Sequence, residues 1–282
     1  MLINIRGQLI DLDHPRVMGI INVTDDSFYE GSRYGSISDV IKAAGNMLAD
    51  GADILDVGGC STRPGAPEVP EEEEKKRVCN AVEAIRSHFS DAVISIDTWR
   101  AGVAEAAVCN AGADMINDIS GGEMDYGMFP LVERLNVPYI MMHMQGTPQT
   151  MQIKPHYENV VSDILSWFGS RIARLHQAGV KDIIIDPGFG FGKSVKDNFE
   201  LLRRLDEFRI AALPVLVGFS RKSMIWKTLD ISPAEALTGT AALNMTALMK
   251  GASLLRVHDV REARQVVTLF EKIYPQFPRF ES

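Results

Sequence analysis

Eight short apolar runs, each followed by a polar or glycine-bearing loop and then a segment of helical period, dominate this chain. They lie at 17–21, 53–57, 93–96, 114–116, 137–142, 182–185, 215–217 and 253–257. Each is too short for a helix and rich in Val, Ile or Leu, as strands covered on both faces of a parallel sheet are. Between them lie helical segments at 37–50, 71–88, 101–111, 157–178, 198–208 and 233–250. Several end just before a glycine (Gly51, Gly112, Gly179, Gly251), which suits the left-handed residue that closes a helix. Pro70 before Glu71, Glu72, Glu73 and Glu74 predicts a helix start, with carboxylates at the positive end of the dipole.

Such an alternation builds either an open doubly wound sheet or a closed barrel, and periodicity does not separate them. Eight units is the barrel's number, and no long linker splits the set. The expectation is an α/β fold, a (β/α)8 TIM barrel forming one domain over 1–282, with a short N-terminal β-hairpin around Arg6-Gly7-Gln8. The length of 282 residues agrees, since such barrels run to about 250 residues and more.

Composition narrows the function. A net charge of −8 leaves no surplus of Lys and Arg to neutralise phosphates, so neither nucleic acid nor an acidic membrane is an expected partner. Cys60, Cys79 and Cys109 are odd in number and lack CxxC spacing, which excludes a disulfide framework or cysteine zinc site and fits a reducing cytosol. The N-terminus has no signal-peptide pattern, and no apolar run is long enough to span a bilayer. A cytoplasmic protein is expected.

In a barrel the active site lies at the C-terminal strand ends. Those ends carry Asn22, Asp56, Asp97, Asn117-Asp118, His143, Asp186, Ser220-Arg221-Lys222, and Arg256 with His258. One polar strand end means little, because loops must begin somewhere; nearly all of them together point to a polar, planar ligand. Arg256 and His258, with Asn22, suggest an anion or a metal-bound anion. Two loops are lid candidates: Asn22-Val23-Thr24-Asp25-Asp26-Ser27-Phe28 and Gly58-Gly59-Cys60-Ser61-Thr62-Arg63-Pro64-Gly65.

Other features receive plain structural readings. Pro187-Gly188-Phe189-Gly190-Phe191-Gly192-Lys193-Ser194 misses the phosphate-loop pattern only at its first glycine, but proline there lacks the N–H and the positive φ such a loop needs. Cys60 is expected to be a small loop residue rather than a nucleophile, and His143 a packed histidine rather than a ligand. The run from Glu71 to Arg77 is expected to be a solvated helix face, and the methionines near 141–144 core filling.

Taken together, Asn22-Val23-Thr24-x-Asp26-Ser27-Phe28, Asp56-Val57-Gly58-Gly59-x-Ser61-Thr62-Arg63-Pro64-Gly65, Ile96-Asp97-Thr98, Ile116-Asn117-Asp118, Met142-His143-Met144-Gln145-Gly146, Asp186 through Lys193, Gly218-Phe219-Ser220-Arg221-Lys222-Ser223 and Arg256-Val257-His258-Asp259 resemble the bacterial dihydropteroate synthase family. The motifs stand in the family's order from about residue 15 to 262. The resemblance implies a TIM barrel, usually a homodimer, in which 4-aminobenzoate displaces diphosphate from (7,8-dihydropterin-6-yl)methyl diphosphate. It implies that Asp97, Asn117, Asp186 and Lys222 hold the pterin, with Met142 against the ring, and that Asp97, Lys222 and Arg256 serve catalysis. Asn22 would bind Mg²⁺, and Asn22, Thr62, Arg256 and His258 would take the diphosphate. Phe28, Thr62, Arg63, Pro64, Ser220 and Lys222 would shape the 4-aminobenzoate site.

Three departures from the family stand out: Asp25 for a common proline, Cys60 for a common glutamate, and Trp99-Arg100 for smaller or lysine residues. They leave sulfonamide sensitivity and loop order open. A pterin-binding methyltransferase domain, or a non-catalytic pterin-binding protein, is the competing reading. The Ser61-Thr62-Arg63-Pro64 and Ser220-Arg221-Lys222-Ser223 segments oppose the first, and intact Lys222, Arg256 and His258 oppose the second.

Overall fold

The computed structural model describes residues 1–23, 37–61, 69–153 and 155–275. Two strands, β1 (Leu2–Ile5) and β2 (Gln8–Asp11), form an antiparallel hairpin. Then follow β3 (Arg16–Asn22), α1 (Ile37–Ala49), β4 (Ile54–Gly58), α2 (Glu71–His88), β5 (Val93–Asp97), α3 (Ala101–Ala106), β6 (Met115–Asp118), α4 (Met128–Leu135) and β7 (Tyr139–Met142). The chain continues through α5 (Val160–Gln177), β8 (Ile183–Asp186), α6 (Val195–Arg203), β9 (Leu216–Val217), α7 (Ser223–Leu229), α8 (Leu237–Met249), β10 (Leu254–Val257) and α9 (Val260–Ile273).

Eight parallel strands lie in the order β8-β7-β6-β5-β4-β3-β10-β9. The two ends meet through a parallel bridge between Ile185 and Val215, supported by Ile185 N–H donating to Pro214 O at 3.0 Å. The sheet is thus a closed barrel, and the open-sheet alternative falls.

Strand alternation sorts the side chains. Val17, Ile21, Leu55, Val57, Ile94, Ile96, Met141, Ile185, Val217 and Leu255 face the surrounding helices in one continuous core. The alternate residues nearest the strand starts, Met18, Ile54, Met115, Ile140, Ile184, Leu216 and Leu254, pack inside the barrel, with Val93 against them. Ile3, Ile5 and Leu12 of the hairpin segment join that cluster from below, so the hairpin plugs the lower end. At that rim Asp53 accepts Val17 N–H (2.8 Å), Asp114 accepts Ile94 N–H (2.7 Å), and Asp182 accepts Asn4 N–H (2.9 Å). These aspartates open the apolar runs but precede the strands proper, where they tie neighbouring backbone together.

The helix expectations hold at 71–88 and nearly so at 37–50. Gly51, Gly112, Gly179 and Gly251 have φ of +98°, +89°, +86° and +96°, as helix-ending glycines should. The segment at 101–111 begins as α-helix and ends as a π-turn over Ala107–Ala111. That at 198–208 is shifted: α6 starts earlier, where Ser194 and Asp197 form a capping box, and a 3-10 turn follows at Leu205–Ala211. Pro70 stands just outside α2, its carbonyl accepting Glu73 and Glu74 N–H. The solvated-face reading of Glu71 to Arg77 is corrected: Glu74 is fully buried and Arg77 nearly so. No helix among the described residues is long and apolar enough to cross a membrane.

Candidate active site

Two residues along from the apolar layer, five inward-facing positions are polar, Asp56 on β4, Ser95 on β5, Asn117 on β6, Asp186 on β8 and Arg256 on β10, while Ile20 on β3 and Met142 on β7 stay apolar. Asp97 ends β5 one further inward step up. Arg256 reaches across the barrel, donating from Nε to Asp56 Oδ2 (2.6 Å) and from Nη2 to Asp97 Oδ2 (2.6 Å). The same Asp56 oxygen accepts Asn117 Nδ2 at 3.0 Å. Strands β4, β5, β6 and β10 are thereby joined through one chain of polar side chains. Arg256, which the resemblance assigns to the diphosphate, is in this structure part of the group assigned to the pterin.

Burial pushes the Asp97 carboxyl up to about 7, against the pull of Arg256 and with Asp56 and Glu74 adding to the rise. Burial also raises Asp186, while the Lys222 ammonium and the Gly188 N–H, which donates to Asp186 Oδ1 at 2.7 Å, oppose it. Lys222 is held down to about 8, chiefly by burial, with Asp186 favouring its charged form. Its Nζ donates to Phe189 O (2.5 Å) and stands 4.7 Å from the Phe191 ring centroid. A lysine in such a position can donate to a ligand acceptor or release its proton near neutral pH.

Beside these groups lies an apolar wall of Trp99, Ile119, Met142, Met144 and Met151, with Cys60, Met124 and Phe191 against it. Met142 is the ladder partner of Asp186 across β7 and β8, which sets this wall next to the polar group. Ser220 and His258, assigned to different substrates, are one unit: His258 Nδ1 and Ser220 Oγ are 2.9 Å apart. Asn22 ends β3 in register with Gly58, whose own partner across the next ladder is Asp97. Phe28, Thr62, Arg63 and Pro64 lie outside the described residues, as does Asp25.

The glycine-rich loop after β8 is built for a different purpose from phosphate binding. Lys193 Nζ is buried and turned back onto its own loop, meeting Gly188 O (2.9 Å), Phe191 O (3.0 Å), His143 O (3.3 Å) and His143 Nδ1 (3.1 Å). Gly188 has φ of +73°, and a Cβ there would sit 1.9 Å from His143 O. Asn198 completes the clamp by accepting Gly190 N–H at 2.7 Å and donating to Ser194 O at 2.7 Å. His143 is a packed histidine: burial, then the Lys193 charge, hold its pKa down to about 2, so Nδ1 accepts from Lys193.

Several contributors escape a residue-by-residue reading of the sequence. Asp56 ends an apolar run, yet nothing in the run shows that one of its oxygens serves two partners. Glu74, read as solvated, accepts Thr98 Oγ1 (2.7 Å) and Arg100 Nη1 (2.6 Å), tying α2 to the loop after Asp97. The departure at Arg100 is thus a buried ion pair, and Trp99 belongs to the apolar wall. Burial, then Glu74, raises the Cys60 thiol, which favours its protonated and unreactive form. Asp118 accepts from Ser120, Gly122 and Tyr139, so it shapes its own loop.

A closed barrel with this acid, amide, lysine and arginine set at its mouth matches the family profile of pterin binding enzymes over residues 18–258. The chain belongs to that family. Among its relatives is the dihydropteroate synthase of Escherichia coli K12, 45% identical over 268 residues, which span 94% of each chain. A crystal structure of Yersinia pestis dihydropteroate synthase with a sulfonamide drug superposes with a TM-score of 0.92 at 40% identity, covering 98% of this chain and 100% of the other. The Xanthomonas albilineans dihydropteroate synthase with 4-aminobenzoic acid superposes at 0.87 and 39% identity, covering 95% and 96%. Within the pterin binding enzymes, the chain's place is with the dihydropteroate synthases.

Proposed function

We propose that this barrel condenses (7,8-dihydropterin-6-yl)methyl diphosphate with 4-aminobenzoate, giving 7,8-dihydropteroate and diphosphate for folate synthesis. The observation that carries this reading is the grouping of Asp97, Asn117, Asp186, Lys222 and Arg256 beside the apolar wall that includes Met142. Dihydropterin presents a row of N–H donors, and buried carboxylates such as Asp186 and Asp97 accept them as charge-assisted hydrogen bonds. The flat ring would lie along Met142, and Lys222 would donate to a ring acceptor.

The C–O bond between the methylene and the diphosphate breaks first, its electron pair leaving with the diphosphate. The dihydropterin spreads the resulting positive charge, and the arylamine nitrogen then attacks the methylene and loses a proton. Catalysis requires an anion clamp and negative charge near the cation rather than a strong base. Asp97 supplies that charge, because a cation forming on the ring favours the ionised carboxyl. Asn22, His258 and Thr62 would hold the diphosphate with Arg256, and Ser220 with Phe28, Arg63 and Pro64 would orient 4-aminobenzoate.

Magnesium fits the donor set. The Asn22 amide offers an oxygen at the strand end, and no group of three His, Cys, Asp or Glu among the described residues forms an all-protein cage. Mg²⁺ is commonly held by few protein oxygens together with substrate phosphates and water. Bound there, it would neutralise charge on the leaving diphosphate.

The same reading makes the protein a cytoplasmic homodimer. Leu229 of α7 and Leu237 and Met249 of α8 are exposed apolar side chains. The deciding experiment supplies pterin diphosphate, 4-aminobenzoate and Mg²⁺ and follows dihydropteroate and diphosphate. Bound pterin with no product would overturn the synthase and leave a binding protein.

A further inference from the structure

Asp56 has no role in the chemistry just described, yet it is fully buried and central to the site's polar chain. All its hydrogen bonds run through Oδ2, which accepts Arg256 Nε at 2.6 Å and Asn117 Nδ2 at 3.0 Å; among the described residues its Oδ1 has no partner. Its neighbours at equal register are Ile20 on β3 and Ser95 on β5, so it sits in the middle layer of the barrel, away from solvent. A buried ion pair adds little net stability, because desolvating both charges offsets their attraction. Stability is therefore a weak account of Asp56.

We infer that Asp56 is a positioning residue, which through one carboxylate oxygen sets the Arg256 guanidinium across the barrel against Asp97 and fixes which end of the Asn117 amide faces the ligand. A carboxylate only accepts. It therefore draws Asn117 Nδ2 towards itself and leaves the amide oxygen for a ligand N–H. It likewise takes the Arg256 Nε–H, so that Nη2 falls at 2.6 Å from Asp97 Oδ2. Without Asp56, Asp97 becomes the guanidinium's one carboxylate partner among the described residues, and both the arginine and the amide can rotate. This inference rests on the synthase reading for its kinetic readout, and goes beyond it in naming what orients two of the binding groups.

The test compares Asp56→Asn, Arg256→Lys and the double variant, each as the full chain, with thermal melting to establish folding. Asp56→Asn is expected to lower kcat by about 30-fold while the KM for 4-aminobenzoate changes by less than about threefold. If Asp56 acts through Arg256, the double variant loses no more than Arg256→Lys alone; a purely structural role gives multiplied losses. A second signature is the acid limb of the pH profile, which moves to lower pH in Asp56→Asn because a like charge facing Asp97 is gone. The charged groups around Asp97 are Arg256 from β10, Asp56 from β4, Glu74 from α2, Asp118 from β6 and Lys222 after β9. Asp56→Asn with turnover within about twofold of wild type, or fully multiplicative losses, overturns the inference.

Should Asp56→Asn fail to fold, or wild type show no turnover, the Arg256 Nε–H resonance of the wild-type protein, assigned by its loss in Arg256→Lys, decides the matter. A downfield, slowly exchanging proton supports the inference, and one at the free-arginine position overturns it. Absent turnover with that proton downfield would sink the synthase reading alone.

Discussion

Two layers of the barrel interior, one step of inward-facing residues apart, do opposite things. The lower layer, Met18, Ile54, Met115, Ile140, Ile184, Leu216 and Leu254 closed by Ile3, Ile5 and Leu12, is wholly apolar. The next, roughly 6.6 Å along at about 3.3 Å per residue, holds Asp56, Ser95, Asn117, Asp186 and Arg256. On β4 the change is from Ile54 to Asp56, on β6 from Met115 to Asn117, on β10 from Leu254 to Arg256. Burying the lower side chains favours folding by about 1.5–3 kcal/mol each. Burying the upper ones costs desolvation, which the Arg256–Asp56–Asn117 contacts and the Gly188 N–H on Asp186 offset in part, while Ser95 Oγ has no partner among the described residues. Stability and chemistry thus occupy adjacent floors of one cylinder, and the backbone that the lower floor makes rigid is what holds the upper groups in place.

That contrast can be broken from either side. The largest effect is expected from Asp97→Asn, one step above the upper layer and joined to it through Arg256, which keeps the shape and removes the charge. It should cost about 100- to 1,000-fold in kcat, or about 3–4 kcal/mol of transition-state stabilisation, while pterin affinity, measured by calorimetry, falls much less. Equal losses in binding and turnover would deny Asp97 its role at the cation.

Ile5→Ala in the hairpin plug is the reverse experiment. It should lower unfolding free energy by about 2–4 kcal/mol in urea titration, with kcat of the folded fraction within about twofold of wild type. A large fall in kcat at low denaturant would mean that the two floors are not separable.

A smaller effect concerns Lys222, whose amine burial holds down to about 8. It is charged below that pH and neutral above, so if the charged form binds the pterin, kcat/KM falls as pH rises through about 8, approaching tenfold per unit beyond it. In Lys222→Arg, which stays charged, the alkaline limb should vanish from a lower plateau. Retention of that limb would assign it to another group.

Legibility in the sequence divides along the same line. The strand from Ile54 to Gly58 can be seen in Ile54-Leu55-Asp56-Val57, and alternation alone puts Ile54 and Asp56 on one face. The segment at 71–88 is legible too, with Glu71 to Glu74 crowding its positive end. The burial of Glu74 is not legible, because four consecutive glutamates look equally solvated until α2 is laid against the barrel and Thr98 and Arg100 arrive beside one of them. The phosphate-loop resemblance of Gly188 to Ser194 similarly conceals that Lys193 turns inward to three carbonyls. Helices Met128–Leu135 and Ser223–Leu229 are too short, and the first carries Pro130 too near its start, to announce themselves by period.

The amino-acid order alone specifies eight strands, most of the helices between them, the glycines that end several helices, and the polar strand ends, because these depend on neighbours within a few residues. Pairing of the first barrel strand with the last, β3 with β10, and the meeting of Arg256 with Asp56 and Asp97, which are 200 and 159 positions away, depend on strands brought together from the two ends of the chain. Periodicity reports which face a residue takes. Only closure of the barrel decides which other residue it finds there.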